Sequence, residues 1–303
     1  MKPILKKIDG ILLLDKSLHI TSNGALQRLK RLFHAKKAGH TGSLDPLATG
    51  MLPICFGEAT KVSQFLLDSD KFYRVEVKLG IKTTTGDAEG EIIATQPVID
   101  IDTEKLINVL AQFVGPVKQI PPMFSAIKHQ GKPLYKLARQ GIEVERKSRD
   151  VFIHASNLIS HQDDTFVLDV HCSKGTYIRT LVEDIGDVLG CGAYTIGLHR
   201  TAVSPYQQNK MYRLDELEKM HQQDGFDALL QCLLPIDTSV QHLPVIKLSS
   251  SGSFYIKMGQ AVMVSQIPKS GFVRLISDHG QFIGIGEILN DGRVAPRRLV
   301  NPI

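Results

Sequence analysis

The sequence predicts an α+β fold, because strand-like and helix-like segments alternate along the chain without a regular βαβ repeat. Residues 73–79 alternate apolar and polar side chains as a strand does, whereas residues 173–190 repeat apolar side chains at helical spacing. The 303 residues are 43% hydrophobic and 22% charged, a normal globular balance that suits one large domain or two.

The first predicted elements flank residues 40–50. Residues 21–39 form an amphipathic helix with a basic outer face, and Thr21, Ser22 and Asn23 are its candidate N-caps. Residues 51–56 follow as a short apolar run, typical of a buried strand.

The later elements follow the same two periodicities. We predict helices over 57–71, 103–114 and 173–190, the last ending at Gly190. We predict a second alternating strand at 166–172, after the one at 73–79.

Three segments suggest a division into parts. Residues 120–148 combine prolines, glycines and basic side chains, as a projecting, mobile surface insertion would. A helical linker near 215–231 precedes short strands and glycine turns from about residue 243, which indicate a small β-rich domain.

The positive charge is concentrated in three stretches. Net charge is +5, but residues 118–149 carry +6, residues 241–303 carry +4, and residues 16–44 hold six Lys and Arg without an acid. Such patches are either solvated faces or phosphate-binding surfaces, so charge alone leaves a nucleic-acid partner open.

Several classes of protein are disfavoured. The longest apolar runs are too short for a membrane span, and the N-terminus lacks the features of a signal peptide. The four scattered cysteines favour reduced thiols over a zinc site or a disulfide framework. Walker, His-Glu-x-x-His and Gly-x-Ser-x-Gly motifs are absent, and "GDAEG" at 86–90 lacks most ligands of a calcium loop.

One carboxylate stands out in "HTGSLDPLATG" at residues 40–50. Asp45 is the first acid after Asp15, and Pro46 forces its backbone out of the helical region. The pair is either a helix N-cap followed by proline at the first helical position, or a carboxylate held at a fixed angle for chemistry.

Three other side chains have two or more interpretations each. Arg179 begins a predicted helix, where the macrodipole disfavours a cation, so either it is exposed or an anion such as Asp45 compensates it. Tyr73 is ordinary core or a ring offered to a planar ligand. His40 is a base, a stacking ring or a loop hydrogen-bonder.

These residues lie in motifs that resemble the TruB family, the bacterial tRNA pseudouridine-55 synthases. The motif "GHTGSLDPLATGMLP" resembles the catalytic motif, and "SKGTYIRTLVEDIGDVLGCGAY" the arginine motif. The likeness spans almost the whole chain in order, through "GILLLDKSLHITSN", the thumb-like insertion "IPPMFSAIKHQGKPLYKLARQG" and the PUA-like "GEILNDGRVAPRRLVNP". Ser17 departs from the pattern, where proline is expected.

The resemblance implies roles for individual residues. Asp45 would be the catalytic aspartate, Arg179 its ion-pair partner, Tyr73 the ring that stacks on uracil, His40 a contact to displaced RNA bases, and Leu198 part of the base pocket. RNA or substrate contacts are further implied for Lys16, Lys128, Arg139 and Tyr177.

The resemblance also implies a fold, a binding partner and a cellular location. It predicts a pseudouridine synthase domain over 1–240 with a mixed, largely antiparallel sheet, and a PUA domain over 243–303. It implies a cytoplasmic monomer that acts on the T-stem-loop of tRNA and needs no protein partner, cofactor or metal.

Other functions remain open at this point. A non-catalytic RNA-binding chaperone would carry an idle Asp45, and an RNA-guided synthase would need partners. A carboxylate glycosidase would need a second acid, for which the acid-free surroundings of Asp45 offer no obvious candidate.

Overall fold

The computed structural model of the protein describes residues 5–265 and 268–301. The N-terminal residues 1–4 and the C-terminal Pro302 and Ile303, which belong to the predicted domain ranges, lie outside the described residues. None of the described helices is long and apolar enough to cross a membrane.

Eighteen strands are described within these residues. They are β1 (Gly10–Lys16), β2 (Ala38–His40), β3 (Ala48–Phe56), β4 (Lys71–Leu79), β5 (Ile81–Thr83), β6 (Ile92–Thr95), β7 (Gly115–Gln119), β8 (Lys128–His129), β9 (Lys132–Pro133), β10 (Arg149–Gln162), β11 (Thr165–Cys172), β12 (Ala193–Val203), β13 (Tyr212–Arg213), β14 (Val245–Lys247), β15 (Val262–Met263), β16 (Gly271–Ile276), β17 (Phe282–Ile288) and β18 (Arg293–Leu299).

Eight α-helices and two short 3-10 helices accompany the strands in the described part of the chain. The α-helices are α1 (Ser22–Leu32), α2 (Ser63–Asp68), α3 (Thr103–Gln112), α4 (Leu134–Ala138), α5 (Ile178–Leu189), α6 (Leu214–Asp224), α7 (Phe226–Gln231) and α8 (Ser250–Lys257). The 3-10 helices are Gly57–Lys61 and Ile236–Val240.

One large sheet forms the body of the protein. Its strand order is β13-β1-β3-β12-β4-β11-β10-β7, with β2 beside β3. The pairs β1–β13 and β3–β12 are parallel and the other pairs antiparallel, which confirms the predicted mixed, largely antiparallel sheet.

Buried side chains cover both faces of this sheet. Alternate residues of β1 face different cores: Leu12 and Leu14 pack with α1, α6 and α7, whereas Ile11 and Leu13 pack towards α2 and the C-terminal sheet. A strand buried on both faces needs a continuous apolar run, which is why residues 11–14 read Ile-Leu-Leu-Leu.

Most predicted elements are confirmed, but the helix predicted over 21–39 ends at Leu32, and Ala38 and Gly39 belong to β2. Thr21 caps α1 through its side chain, and Gly190 ends α5 in the left-handed region with φ 82°. The helix predicted over 57–71 is wrong in its continuity, because the chain forms a 3-10 turn over Gly57–Lys61 before α2.

The C-terminal part is β-rich, as predicted, but it also contains a helix. Its five strands pair in the order β14-β16-β17-β18-β15. Residues Ser250–Lys257, which were predicted to belong to a run of short strands, are instead α8. The Ser249 side chain accepts from the Gly252 backbone N–H, an N-cap that the strand interpretation overlooked.

The two sheets share one core. Ile285 and Val300 of the C-terminal part pack into the same buried cluster as Ile11 and Leu13 of β1. Phe65 and Phe272 meet edge-on with ring centroids 5.8 Å apart. The C-terminal sheet is therefore fixed against the body of the protein.

Candidate active site

Asp45 lies in an extended loop, not at a helix N-terminus. Pro46 and Leu47 form a turn in which the Ala48 backbone N–H donates to the Asp45 carbonyl at 3.0 Å, and the chain then enters β3. The N-cap interpretation of Asp45 is therefore wrong. Its side chain is 46% exposed and free to meet a ligand.

Two residues that follow β1, His19 and Ser22, hold this loop by hydrogen bonds. The Ser22 hydroxyl donates to the Leu44 carbonyl at 2.9 Å, and the Leu44 N–H donates back to that hydroxyl at 2.8 Å. The His19 N–H donates to the Pro46 carbonyl at 2.9 Å. Asp45 is thus bracketed by two anchored neighbours, which fixes the direction of its carboxylate.

Lys16 supplies a further anchor for this loop. The side chain is 1% exposed, and its ammonium donates to the carbonyls of Ser17, Ile20 and Pro46. Burial lowers the Lys16 pKa to about 8, although Asp45 opposes the shift. A cation enclosed in this way positions the loop.

Arg179 faces Asp45 across the site. One guanidinium nitrogen lies 2.8 Å from a carboxylate oxygen of Asp45, and the Arg179 side chain is only 7% exposed. Arg179 sits in the first turn of α5, where the helix dipole disfavours it. The sequence left open whether Arg179 is exposed or compensated by an anion, and the geometry matches the second interpretation.

A second carboxylate, which the sequence did not reveal, shares the same guanidinium. Asp87 lies 3.5 Å from Arg179 and is 9% exposed. The guanidinium also donates to the carbonyls of Thr85 and Phe124, both at 2.8 Å. The turn "GDAEG" had been considered only as a calcium loop; its acid in fact orients the arginine.

The acid-free stretch of sequence around Asp45 therefore does not mean that the folded site lacks a second acid. Asp87 reaches the site from a distant turn, which no local count of acids can reveal. It does not by itself create the two opposed carboxylates of a glycosidase, because the 9% exposed Asp87 and the 46% exposed Asp45 pair with the same guanidinium.

A narrow pocket opens between these groups and β12. Its lining residues are Asp45, Leu47, Ala48, Asp87, Arg179, Thr195, Ile196, Gly197 and Leu198. The cavity is about 10 Å³, which holds no more than one water molecule. A planar base can enter only if the lining side chains move apart.

Tyr73 and Leu198 lie together between two cores. Both pack against the cluster around α5 and the cluster around α1. Tyr73 is opposite Arg200 in the sheet, and Leu198 pairs with Ala48 and Val75.

The Tyr73 ring is half-buried. Burial of its hydroxyl raises the pKa of Tyr73, and the nearby Arg200 opposes that rise. Tyr73 is thus part of the core, and it is not among the residues that line the pocket.

Arg200 is a further residue that the sequence did not single out. Its side chain is 1% exposed and donates to the carbonyls of Met51 at 2.6 Å and Gly42 at 3.1 Å. These contacts bind β12 to both ends of the motif around Asp45. An arginine inside a strand, with no acid nearby in sequence, gave no distinguishing signal.

The remaining predicted residues occupy different surroundings. His40 ends β2, and its Nδ1 is buried without a hydrogen-bond partner among the described residues. Burial, together with Arg200, lowers the His40 pKa, so the ring is neutral at pH 7. Tyr177 precedes α5, and its backbone exchanges two hydrogen bonds with the Gln119 amide.

The insertion at 120–148 touches the site at its base. Lys128 and Arg139 are exposed on it, and Leu134 and Leu137 of α4 are buried. The Phe124 carbonyl at its base is the one that accepts from Arg179. The insertion therefore supplies both a backbone acceptor for Arg179 and exposed basic side chains.

Comparison with known proteins decides the family. Three family descriptions match consecutive parts of the chain. "TruB family pseudouridylate synthase (N terminal domain)" matches residues 30–178, "tRNA pseudouridylate synthase B C-terminal domain" 179–241, and "Pseudouridine synthase II TruB, C-terminal" 244–300. The chain belongs to the TruB family.

Relatives of this TruB-family chain match it over nearly its whole length. A protein of Coxiella burnetii (strain Dugway 5J108-111), named tRNA pseudouridine synthase B, is 56% identical, with 97% of this chain and 96% of the relative covered. Proteins of the same name from Nitrosococcus oceani and Ectopseudomonas mendocina are 54% and 51% identical. They cover 97% and 99% of this chain, and 95% and 98% of the relatives.

Solved structures share the fold of the TruB-family chain. A chain in the crystal structure of a Cbf5-Nop10-Gar1 complex superimposes with a TM-score of 0.75 at 24% identity, covering 96% of this chain and 84% of that one. A chain from an H/ACA RNP bound to a substrate RNA gives the same TM-score at 21% identity, with 97% and 85% covered. These similarities establish the pseudouridine synthase fold.

Proposed function

We propose that this chain converts uridine to pseudouridine in tRNA, at position 55 of the T-loop. The chain's TruB membership and the name shared by relatives at 51–56% identity support the reaction and the substrate. The observation that carries the proposal is the Asp45 carboxylate, exposed at the pocket mouth and 2.8 Å from the buried Arg179.

The reaction breaks the bond between sugar C1′ and base N1, turns the uracil, and joins C1′ to C5. Asp45 either attacks C1′ as a nucleophile or removes a sugar proton, and both routes start from an ionised carboxylate. The Arg179 guanidinium pairs with the Asp45 carboxylate and fixes its direction. Asp87 and the two carbonyls in turn hold the guanidinium in place.

The pocket has to open for the target base. A uracil in folded RNA is stacked, so it must be flipped out at a cost of a few kcal/mol. Stacking against the Tyr73 ring offsets about 1–3 kcal/mol of that cost. Once filled, the pocket keeps water away from the detached base and the sugar. Water that reached this intermediate would turn isomerisation into base loss.

The basic surfaces hold the RNA. Exposed Lys128 and Arg139 on the insertion offer phosphate contacts that fix the RNA register without reading its sequence. We assign residues 1–240 to catalysis and 243–303 to a PUA-like RNA-binding domain. We expect a monomer that needs no protein partner, and the buried free thiols of all four cysteines suit the reducing cytoplasm.

A tritium-release assay tests this function. When C1′ joins C5 of the base, the hydrogen at C5 is lost to water, so tRNA labelled with tritium at uridine C5 releases label only if isomerisation occurs. We expect multiple turnovers, and expect pseudouridine to map to position 55. Binding of tRNA without label release would instead identify a non-catalytic chaperone.

A further inference from the structure

Two histidines and one aspartate converge on the large sheet, and none of them belongs to the active site. Asp70 precedes β4, His154 lies in β10 and His171 in β11. The nitrogen and oxygen atoms that they offer all lie within 4.8 Å of one another. The three residues come from three separate segments, so the cluster is a product of the fold.

A β-bulge brings the two imidazoles together. In the β10–β11 ladder Ile153 pairs with Cys172 and Ala155 pairs with His171, which leaves His154 as the extra residue. A bulge redirects the side chain of its extra residue. Here it places the His154 ring 4.4 Å from the His171 ring, centroid to centroid.

The spacing of the donor atoms suits a small tetrahedral ion. One oxygen of Asp70 lies 3.3 Å from Nε2 of His154 and 3.5 Å from Nε2 of His171. Zinc–nitrogen and zinc–oxygen bonds of about 2.0–2.1 Å in a tetrahedron separate neighbouring ligand atoms by about 3.3 Å. Two of the three distances between the donor atoms therefore already match this geometry.

The surrounding contacts leave these donors available. Nε2 of His171 is buried and has no hydrogen-bond partner in the described part of the chain. The nearby Lys71 ammonium is directed away from Asp70, onto the carbonyls of Leu66, Leu67 and Ser69. The adjacent cation therefore does not occupy the Asp70 carboxylate, and the side-chain contacts of its oxygen are to the two imidazoles of the cluster.

We propose that Asp70, His154 and His171 bind one divalent transition-metal ion, with zinc as the ion to test. Two imidazole nitrogens exclude a preference for calcium or magnesium, which take oxygen ligands. The three side chains are 31–37% exposed, so water completes the fourth position. The bound ion would join β10 and β11 to the segment that leads into β4.

Titration of the metal-free full-length protein with zinc chloride alone tests the site. The chain is first dialysed against a chelator, and binding is followed by calorimetry. We expect one zinc per chain, with His154→Gln, His171→Gln and Asp70→Asn each weakening binding at least about tenfold. The matched control is His279→Gln, because His279 faces Asp278 at 3.7 Å without a second imidazole; its affinity should equal that of the wild type.

Two further measurements distinguish the loss of a zinc-binding side chain from a loss of the folded structure. Zinc should raise the melting temperature of the wild type and of His279→Gln, but not that of the three site variants. Cobalt in the wild type should give the intense visible absorption of a four-coordinate ion, absent in those variants. The proposal is overturned if zinc does not bind saturably, or if the site variants bind it as tightly as the wild type.

Discussion

At the scale of single residues, the site depends on the guanidinium of Arg179 meeting four acceptors at once. Asp45, Asp87 and the carbonyls of Thr85 and Phe124 surround it, and the side chain is almost fully buried. The planar guanidinium of arginine has five N–H donors, which can satisfy these four acceptors. The ammonium of lysine is a single point charge on a shorter side chain. Charge alone is therefore not sufficient at this position.

We predict that Arg179→Lys lowers kcat for pseudouridine formation by at least about 100-fold and changes KM little. The reason is that lysine cannot hold Asp45 in place while also satisfying the acceptors behind it. Single-turnover kinetics on tRNA transcripts measures the effect. Arg74→Lys is the matched control, since Arg74 also forms a two-pronged pair, with Asp169, but on the exposed surface. A variant at position 179 with half the wild-type kcat would contradict this account.

Lys16 gives a prediction about pH and stability. Burial lowers its pKa from the ordinary value of 10.5 to about 8. Below pH 8 Lys16 is protonated in both the folded and the unfolded state, and the folded state bears the full cost of the buried charge. Between pH 8 and 10.5 the unfolded chain binds more protons, so rising pH favours the folded state.

Compared with Lys16→Met, the wild type should therefore gain up to about 3 kcal/mol of unfolding free energy as pH rises through this window. Taking the difference between the two proteins cancels the titration of shared groups. Denaturant unfolding at about pH 7 and about pH 10 measures it. A difference that stays constant with pH would show that the Lys16 pKa is not lowered.

At the scale of elements, periodicity predicts what local sequence controls. The alternation in β4 and the helical spacing in α5 correspond to residues that are buried in the predicted pattern. The break between Gly57–Lys61 and α2 was not predictable in this way, nor was α8, because packing and a single cap decide these elements. The roles of Asp87 and Arg200 depend on partners that are distant in sequence, as does the contact of Lys16 with Pro46.

The basic insertion carries a prediction about salt. Deleting residues 120–148 would also remove the Phe124 carbonyl that supports Arg179, so removing charge alone is a cleaner change. We predict that replacing Lys128, Lys132, Lys136 and Arg139 by Gln weakens tRNA binding. The slope of log K against log salt should fall by about 0.7–0.9 for each phosphate that the variant no longer neutralises.

Filter binding at several salt concentrations measures this slope. The control is Lys105→Gln combined with Lys219→Gln, which removes exposed charge from α3 and α6. The control should keep the wild-type slope. An unchanged slope in the insertion variant would show that these side chains do not bind phosphate.

At the scale of the whole molecule, a single buried network connects the site to both sheets. β1 contributes to the core under α1 and to the core shared with the C-terminal sheet, while its end carries Lys16. β12 places Leu198 at the pocket and Arg200 behind the motif loop. The sequence predicted two parts and their order, but their shared core arises from contacts between residues far apart in the chain.

The central claim is that the Asp45 carboxylate performs the isomerisation. Asp45→Asn keeps the size of the side chain and the turn at Pro46, and an amide oxygen can still accept from Arg179, but the negative charge is lost. The decisive measurement is pseudouridine formation in tRNA by this variant, with tRNA affinity measured in parallel. We predict affinity within about threefold of the wild type and a rate reduced at least about 1,000-fold. A variant that binds tRNA and retains a tenth or more of the wild-type rate would contradict the account.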